Sequence, residues 1–347
     1  MYKTIFDLIT AIHIAAYWLE VGNSDTHFTE SLFPVQKQLG LDLKWIKGSK
    51  GLPVVLKPSA FDAAAIPRVR VGFVEKKTNM PHFKESMYID EELRQELNKV
   101  IQTGNQQYID AILNHVFEDQ AQLLRGTAAR REQMRCMLLT TGVIAMTGNG
   151  QNYEYDYQLT HKENAIIGWD DPDSDPLEDI RIAKETIQSE TGEVLTRAMC
   201  DGLSWKNLRN HPRFKAMLAP VSLAVGNISS LTDDTLKRFI FDQVGLEVLV
   251  NYNRYKEEDG TTYPYVPANT FSMFPDGNLG NTWFGTTPAE SDLMGGKAAN
   301  VAIVDTGVSI TTAERVDPVQ VETIVAQICL PSFERADSIY ILDTKPA

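Results

Sequence analysis

Apolar positions recur at near-helical spacing at the start of the chain. Phe6, Ile9, Ile12 and Ile14 to Ala16 predict an amphipathic helix over residues 3–20, stopped by Asn23, Ser24 and Asp25. From Leu41 to Lys84 that period disappears. Apolar residues there alternate with Lys and Arg, and Gly48, Gly51, Pro53, Pro58 and Pro67 punctuate the run, which predicts a long extended loop with strand pieces. Helical spacing returns at Asp90 to Gln102, breaks at Gly104 and Asn105, and resumes to Thr141. Along that stretch Tyr108, Ile109, Ile112, Leu113, Val116, Phe117, Leu123, Leu124, Ala128, Met134 and Leu138 fall at steps near three and four. Residues 105–141 therefore read as one helix about 55 Å long, with Gly126 as a candidate bend. After Gly142 the period becomes two, and a Gly148-Asn149-Gly150 turn between Val143, Ile144, Met146 and Tyr153, Tyr155, Tyr157 predicts a hairpin. A Pro-Asp loop covers Trp169 to Asp179. Beyond it, helices are expected near 177–190, 203–218 and 232–244, with strands near 193–199, 246–253, 301–304, 319–329 and 338–343. Helices and strands mix without a regular βα period, so the class is α+β.

Composition changes this picture in one respect. The 347 residues are 43% apolar, enough for a substantial core, and carry a net charge of −13, which opposes a dedicated nucleic-acid binder. The charge is unevenly placed. Between 41 and 84 nine basic residues face three acidic ones, a net +6, which leaves −19 on the rest. A cationic extension without a core of its own is normally laid on a partner. Cys136, Cys200 and Cys329 are odd in number and far apart, so a reducing cytosol is expected rather than a disulfide framework. The apolar run Leu8 to Leu19 is too short to span a bilayer. Asp7 breaks its flank behind Lys3 and no small-x-small cleavage site follows, so neither membrane insertion nor secretion is expected.

Several local motifs occur in an order that resembles one family. Leu32-Phe33-Pro34 is followed by Ile46-Lys47-Gly48, Leu52-Pro53-Val54-Val55 and Pro81-His82-Phe83-Lys84-Glu85. Arg131 to Leu139 then leads into Thr141-Gly142 and Met146-Thr147-Gly148, and Tyr265-Val266-Pro267-Ala268-Asn269-Thr270 and Leu330-Pro331 to Ile341 close the series. Over about residues 30–345 the chain resembles tailed-bacteriophage major capsid proteins of the lambda head protein E family. The resemblance implies the Hong Kong-type capsid fold: an N-terminal arm (1–40), an extended loop (41–85), a peripheral domain with a spine helix (86–176 and 313–347) and an axial domain (177–312). It implies a structural protein, not an enzyme, that self-assembles into pentamers and hexamers of an icosahedral shell around double-stranded DNA. Scaffolding, portal and decoration proteins would be partners, assembly would take place in the bacterial host cytoplasm, and no cofactor is implied.

Candidate chemistry is sparse. Val304-Asp305-Thr306-Gly307-Val308-Ser309 is similar to the Asp-Thr-Gly of aspartic proteases, so a homodimeric phage protease using Asp305 is the alternative reading. Val308 stands where Ala or Ser is usual and no bracing hydrophobic-Gly-Arg element follows, so a strand ending in a turn is preferred. Asp171, Asp173 and Asp175 copy the first positions of a calcium loop, but Pro176 and Ile182 stand where Gly and Glu are needed. With Asp170 they form an acidic loop able to dock a cationic arm. Gly295-Gly296-Lys297-Ala298 lacks both the first glycine and the hydroxyl of a phosphate loop, and His13, His27, His82, His115, His161 and His211 are scattered. No metal site is expected. Contacts between subunits are expected from Lys44, Lys47, Lys50, Lys57, Arg68, Arg70, Lys76 and Lys77. Arg125, Arg130, Arg131 and Arg135 enrich the end of the long helix, where they complement the helix dipole, form ion pairs, or meet packaged DNA phosphate without reading sequence.

Overall fold

Thr10 divides the opening helix. In a computed structural model the chain forms helices Ile5–Leu8 and Ala11–Val21 rather than one helix over 3–20. The Thr10 hydroxyl accepts the His13 N–H (3.3 Å) and its carbonyl accepts the Ile14 N–H (3.1 Å), so Thr10 caps the second helix. The structure describes residues 5–21, 27–47, 74–89, 91–103, 106–222, 231–257, 259–293, 300–317 and 319–346. These fall into two compact units. One comprises Met1–Lys44, Lys77–Met134 and Asn281–Ser332, and the other comprises Trp45–Lys76, Arg135–Gly280 and Phe333–Ala347.

The first unit is organised by the 13-residue strand Val319–Pro331. Strand Val308–Val316 pairs along one edge of it and continues into Asn300–Val304. His82–Tyr88 pairs along the other edge, followed by Thr282–Phe284 and Val35–Lys37. The expected boundary at 312/313 falls inside strand Val308–Val316. The helix Gln106–Thr140 runs for 35 residues, close to the length its periodicity predicts. Val116, Gln120, Ala121, Leu124 and Ala128 make its buried stripe, and every residue from Arg131 to Cys136 is buried. Gly142 stops the helix in the left-handed conformation (φ 73°) with its N–H shared between the carbonyls of Met137 and Leu138.

The second unit opens with the expected hairpin, Val143–Gly148 against Gln151–Asp156, whose turn residues Asn149 and Gly150 both have positive φ. Its five-stranded sheet has the order Lys162–Asn164, Tyr340–Asp343, Thr270–Pro275, Leu195–Asp201, Glu247–Asn251. The central strand Thr270–Pro275 is buried at all six positions, so the alternation of Thr270 and Ser272 with Phe271 and Met273 marks no exposed face. Helices Pro176–Thr191, Gly202–Asn210, Pro212–Ser222 and Asp233–Val244 supply the core with Leu177, Ile180, Ala183, Ile187, Trp205, Leu208, Phe214, Leu236 and Ile240. The single helix expected over 203–218 is two, because Pro212 forces His211 into an extended conformation (ψ 131°). All three cysteines are buried and outside any disulfide. No described helix is long and apolar enough to cross a membrane.

Candidate functional site

The root of the cationic extension is a two-stranded ribbon, Asp42–Lys47 with Val74–Asn79, closed at its base by the Met80 N–H donating to the Leu41 carbonyl (2.9 Å). Alternation places Leu43 and Trp45 inward, both buried, and Lys44 outward. Trp45 stacks on Tyr157 with centroids 5.4 Å apart, and Tyr157 lies 6.4 Å from Phe333. Burial drives the Tyr157 hydroxyl pKa far above the ordinary phenol range, so its ring serves as packing surface. Lys47, Lys76 and Lys77 lie on the ribbon strands. Lys50, Lys57, Arg68 and Arg70 fall outside the described residues.

The acidic loop is held from beneath. Asp170, Asp171 and Asp173 are exposed, and the Asp171 carboxylate accepts the Asp173 N–H (2.9 Å). Ser174 is buried and donates to the Asp171 carbonyl (2.8 Å). The buried His211 ring accepts the Arg213 N–H at Nδ1 (3.3 Å), which leaves Nε2–H to donate to Ser174 Oγ (3.0 Å) and the Asp171 carbonyl (3.1 Å). This Ser-His contact is therefore a brace, since the nitrogen facing the serine already carries a proton. Burial lowers the His211 pKa and so favours the same neutral form. Asp175 caps helix Pro176–Thr191 and pairs with Arg213, so its carboxylate is already committed. No group of three or more His, Cys, Asp or Glu able to hold a metal ion occurs among the described residues. Ile166 and Ile167, 90% and 43% exposed, precede this loop in a segment pinned by backbone bonds from Ala165 to Asp343 and from Trp169 to Thr344. Sequence reasoning passes over these two isoleucines, because an isolated apolar pair carries no periodic signal.

The arginines of the long helix separate into two kinds. Arg131 and Arg135 are buried, so desolvation removes them from the set able to meet DNA phosphate. Arg131 pairs with Asp305 (3.2 Å), donates to Gln327 (3.0 Å) and Thr127 (3.3 Å), and lies 5.5 Å over the Phe284 ring. Arg125 pairs with Glu118 (2.7 Å), which also accepts the Tyr17 hydroxyl (2.9 Å), and these two bonds lower the Glu118 pKa. Arg130 bonds Gln133 and lies 5.8 Å over Phe83.

Asp305 belongs to the first of these networks, which corrects the protease alternative. It opens the turn between strands Asn300–Val304 and Val308–Val316, where Asp305 and Thr306 both adopt positive φ (46° and 70°). Its carboxylate accepts from Arg131 and from the Trp18 indole (3.2 Å). Gly307 is required by a close approach, since a Cβ there would stand 2.5 Å from the Phe284 ring. The Asp-Thr-Gly is thus a structural corner joining helix Ala11–Val21, the long helix and the sheet. The part Trp18 plays in that corner has no signature in the sequence.

Comparison with solved structures shows the same fold at low identity. A phage-related protein of Bordetella bronchiseptica RB50 is 14% identical, covers 97% of each chain and has a TM-score of 0.57. A prophage protein of Escherichia coli CFT073, described as a capsid protein, is 15% identical over 96% of this chain and 99% of that chain, with a TM-score of 0.58. The capsid asymmetric unit of cyanophage A-1(L) is 11% identical over 93% and 94%, with a TM-score of 0.51. No curated protein matches in sequence. The fold is accordingly the α+β Hong Kong-type capsid fold. The family of phage major capsid protein E matches residues 10–344, and the chain belongs to that family.

Proposed function

We propose that the chain builds the pentamers and hexamers of an icosahedral phage head enclosing double-stranded DNA, with each cationic loop docked on the acidic face of a neighbour. Membership of the family makes the chain a structural capsid protein, not an enzyme. The observation that carries the docking is the ribbon root: Trp45 is anchored inward while Lys44 faces out at the start of a net +6 segment. The receiving surface in this reading is Asp170, Asp171 and Asp173 beside the exposed Ile166 and Ile167, which together offer charge and apolar area to a segment in which Lys50 and Lys57 flank Leu52, Val54, Val55 and Leu56. In the same reading residues 1–40 are an arm, 41–85 the loop, 86–176 with 313–347 the peripheral domain and 177–312 the axial domain. Scaffolding, portal and decoration proteins would join it in the host cytoplasm, and Arg125 and Arg130 remain as DNA-facing candidates.

Electron microscopy of the expressed chain tests the shell directly. Reversing Lys44, Lys47, Lys50 and Lys57 to Glu tests the docking. Each exposed pair is worth only about 0–1 kcal/mol, but the contacts repeat around every capsomer. The quadruple variant is expected to give folded chain with unchanged circular dichroism and no shells. Normal shells from it at about 0.15 M salt, where exposed charges are screened within about 8 Å, would leave shape alone to carry the contact.

A further inference from the structure

Helix Ala11–Val21 has two apolar faces, and the chain covers one. Ala11, Ile14, Ala15 and Trp18 are buried, and the helix is fixed by the Ala11 N–H donating to Thr312 Oγ1 (3.2 Å) and the Trp18 indole donating to Asp305 (3.2 Å). Ile12, Ala16 and Leu19 fall at i, i+4 and i+7, which places them in one stripe along the helix. That stripe faces out: Ile12 is 64% and Leu19 74% exposed, and Ala16 is exposed between them. An apolar stripe on a helix whose opposite side is locked in place is a prepared contact surface.

We propose that this stripe pairs, antiparallel, with the same helix of a second copy across a two-fold axis of the shell, an inference that rests on the capsid reading above. A two-fold contact needs a patch complementary to itself. The stripe meets that condition. With the smallest member, Ala16, at the crossing, reversal sets Ile12 of each copy against Leu19 of the other. His13 and Glu20 lie on the same edge of the stripe, so the same reversal brings each His13 opposite the other copy's Glu20. The His13 ring already donates from Nδ1 to the Leu8 carbonyl (2.8 Å), which leaves Nε2 as the atom for an outside partner. Three side chains per copy are far less than the roughly 800 Å² per partner of a stable interface, so the pair closes only where other shell contacts already hold the two copies together.

The test is Ala16→Cys in the full chain, oxidised gently after assembly and run on a non-reducing gel. The three native thiols are buried and do not compete. The expected product is a covalent dimer that forms in particles and fails to form in dissociated chain. Particles that remain monomeric on the gel, or linkage to a different protein, would each overturn the pairing. Failure of the unaltered chain to form particles would instead remove the capsid reading on which the pairing stands. Should Ala16→Cys itself not assemble, a charge exchange decides. His13→Glu is expected to cut particle yield about fivefold, and His13→Glu with Glu20→Lys to restore it. Equal yields for all three chains would overturn the proposal.

Discussion

Replacing Asp305 by Asn and by Ala separates its two roles. Breaking a buried ion pair by removing one partner costs about 3–5 kcal/mol. Here the loss is smaller. The Arg131 side chain is 9% exposed but Asp305 is 30% exposed, and Arg131 keeps its bonds to Gln327 and Thr127. Asn also remains an acceptor for Trp18 and tolerates positive φ, so Asp305→Asn should cost about 1–2 kcal/mol and leave assembly intact. Ala accepts nothing from Trp18 and is strained at φ 46°, so Asp305→Ala should cost about 3–4 kcal/mol. Arg131→Met together with Asp305→Asn should recover part of the loss, because an apolar side chain in that site leaves no unpaired charge. Urea unfolding of dissociated chain, followed by tryptophan fluorescence, measures all three as shifts in midpoint at constant slope. Equal costs for Asn and Ala, or no departure from the parent beyond about 0.5 kcal/mol in either, would exclude both roles for Asp305.

Two glycines should respond in opposite directions in the same assay. Gly126 sits within the long helix, where an alanine Cβ would meet only the Glu85 carboxylate (3.9 Å), so Gly126→Ala should stabilise by about 1 kcal/mol, whereas Gly307→Ala forces a Cβ into Phe284 and should cost about 1–3 kcal/mol. For His211 the direction of the pH effect is fixed. Its pKa is lowered from 6.5 by burial, so below pH 6.5 the unfolded chain holds more protons than the folded one. The stabilising contribution is complete above 6.5 and is lost as pH falls through the folded value. Thermal midpoints should therefore drop on acidification, and His211→Gln should reduce that drop; an unchanged slope would show that the brace under the acidic loop does not titrate.

How legible each part is in the sequence depends on whether its residues act through periodicity or through long-range partners. The long helix, the Asn149-Gly150 hairpin and the first half of strand Val319–Pro331 announce themselves because each presents a repeating buried face or a turn with one chemical solution. Strand Thr270–Pro275 is covered on both sides, so its alternate polar residues Thr270 and Ser272 mark no solvent face. The breaks at Thr10 and Pro212 are visible as residue types, yet apolar spacing continues across them and hides both the cap and the proline. Side-chain roles are the hardest to read. Arg131 and Arg135 resemble a cationic helix end, and only the fold reveals that the last third of that helix is enclosed, with Asp305 brought to Arg131 from 174 positions away. The same long-range pairing turns a protease-like Asp-Thr-Gly into a corner of the scaffold. Counting charges locates the cationic segment 41–84. Such a count cannot distinguish a charge neutralised within the subunit from one left for a partner, and in a shell protein that distinction separates folding from assembly.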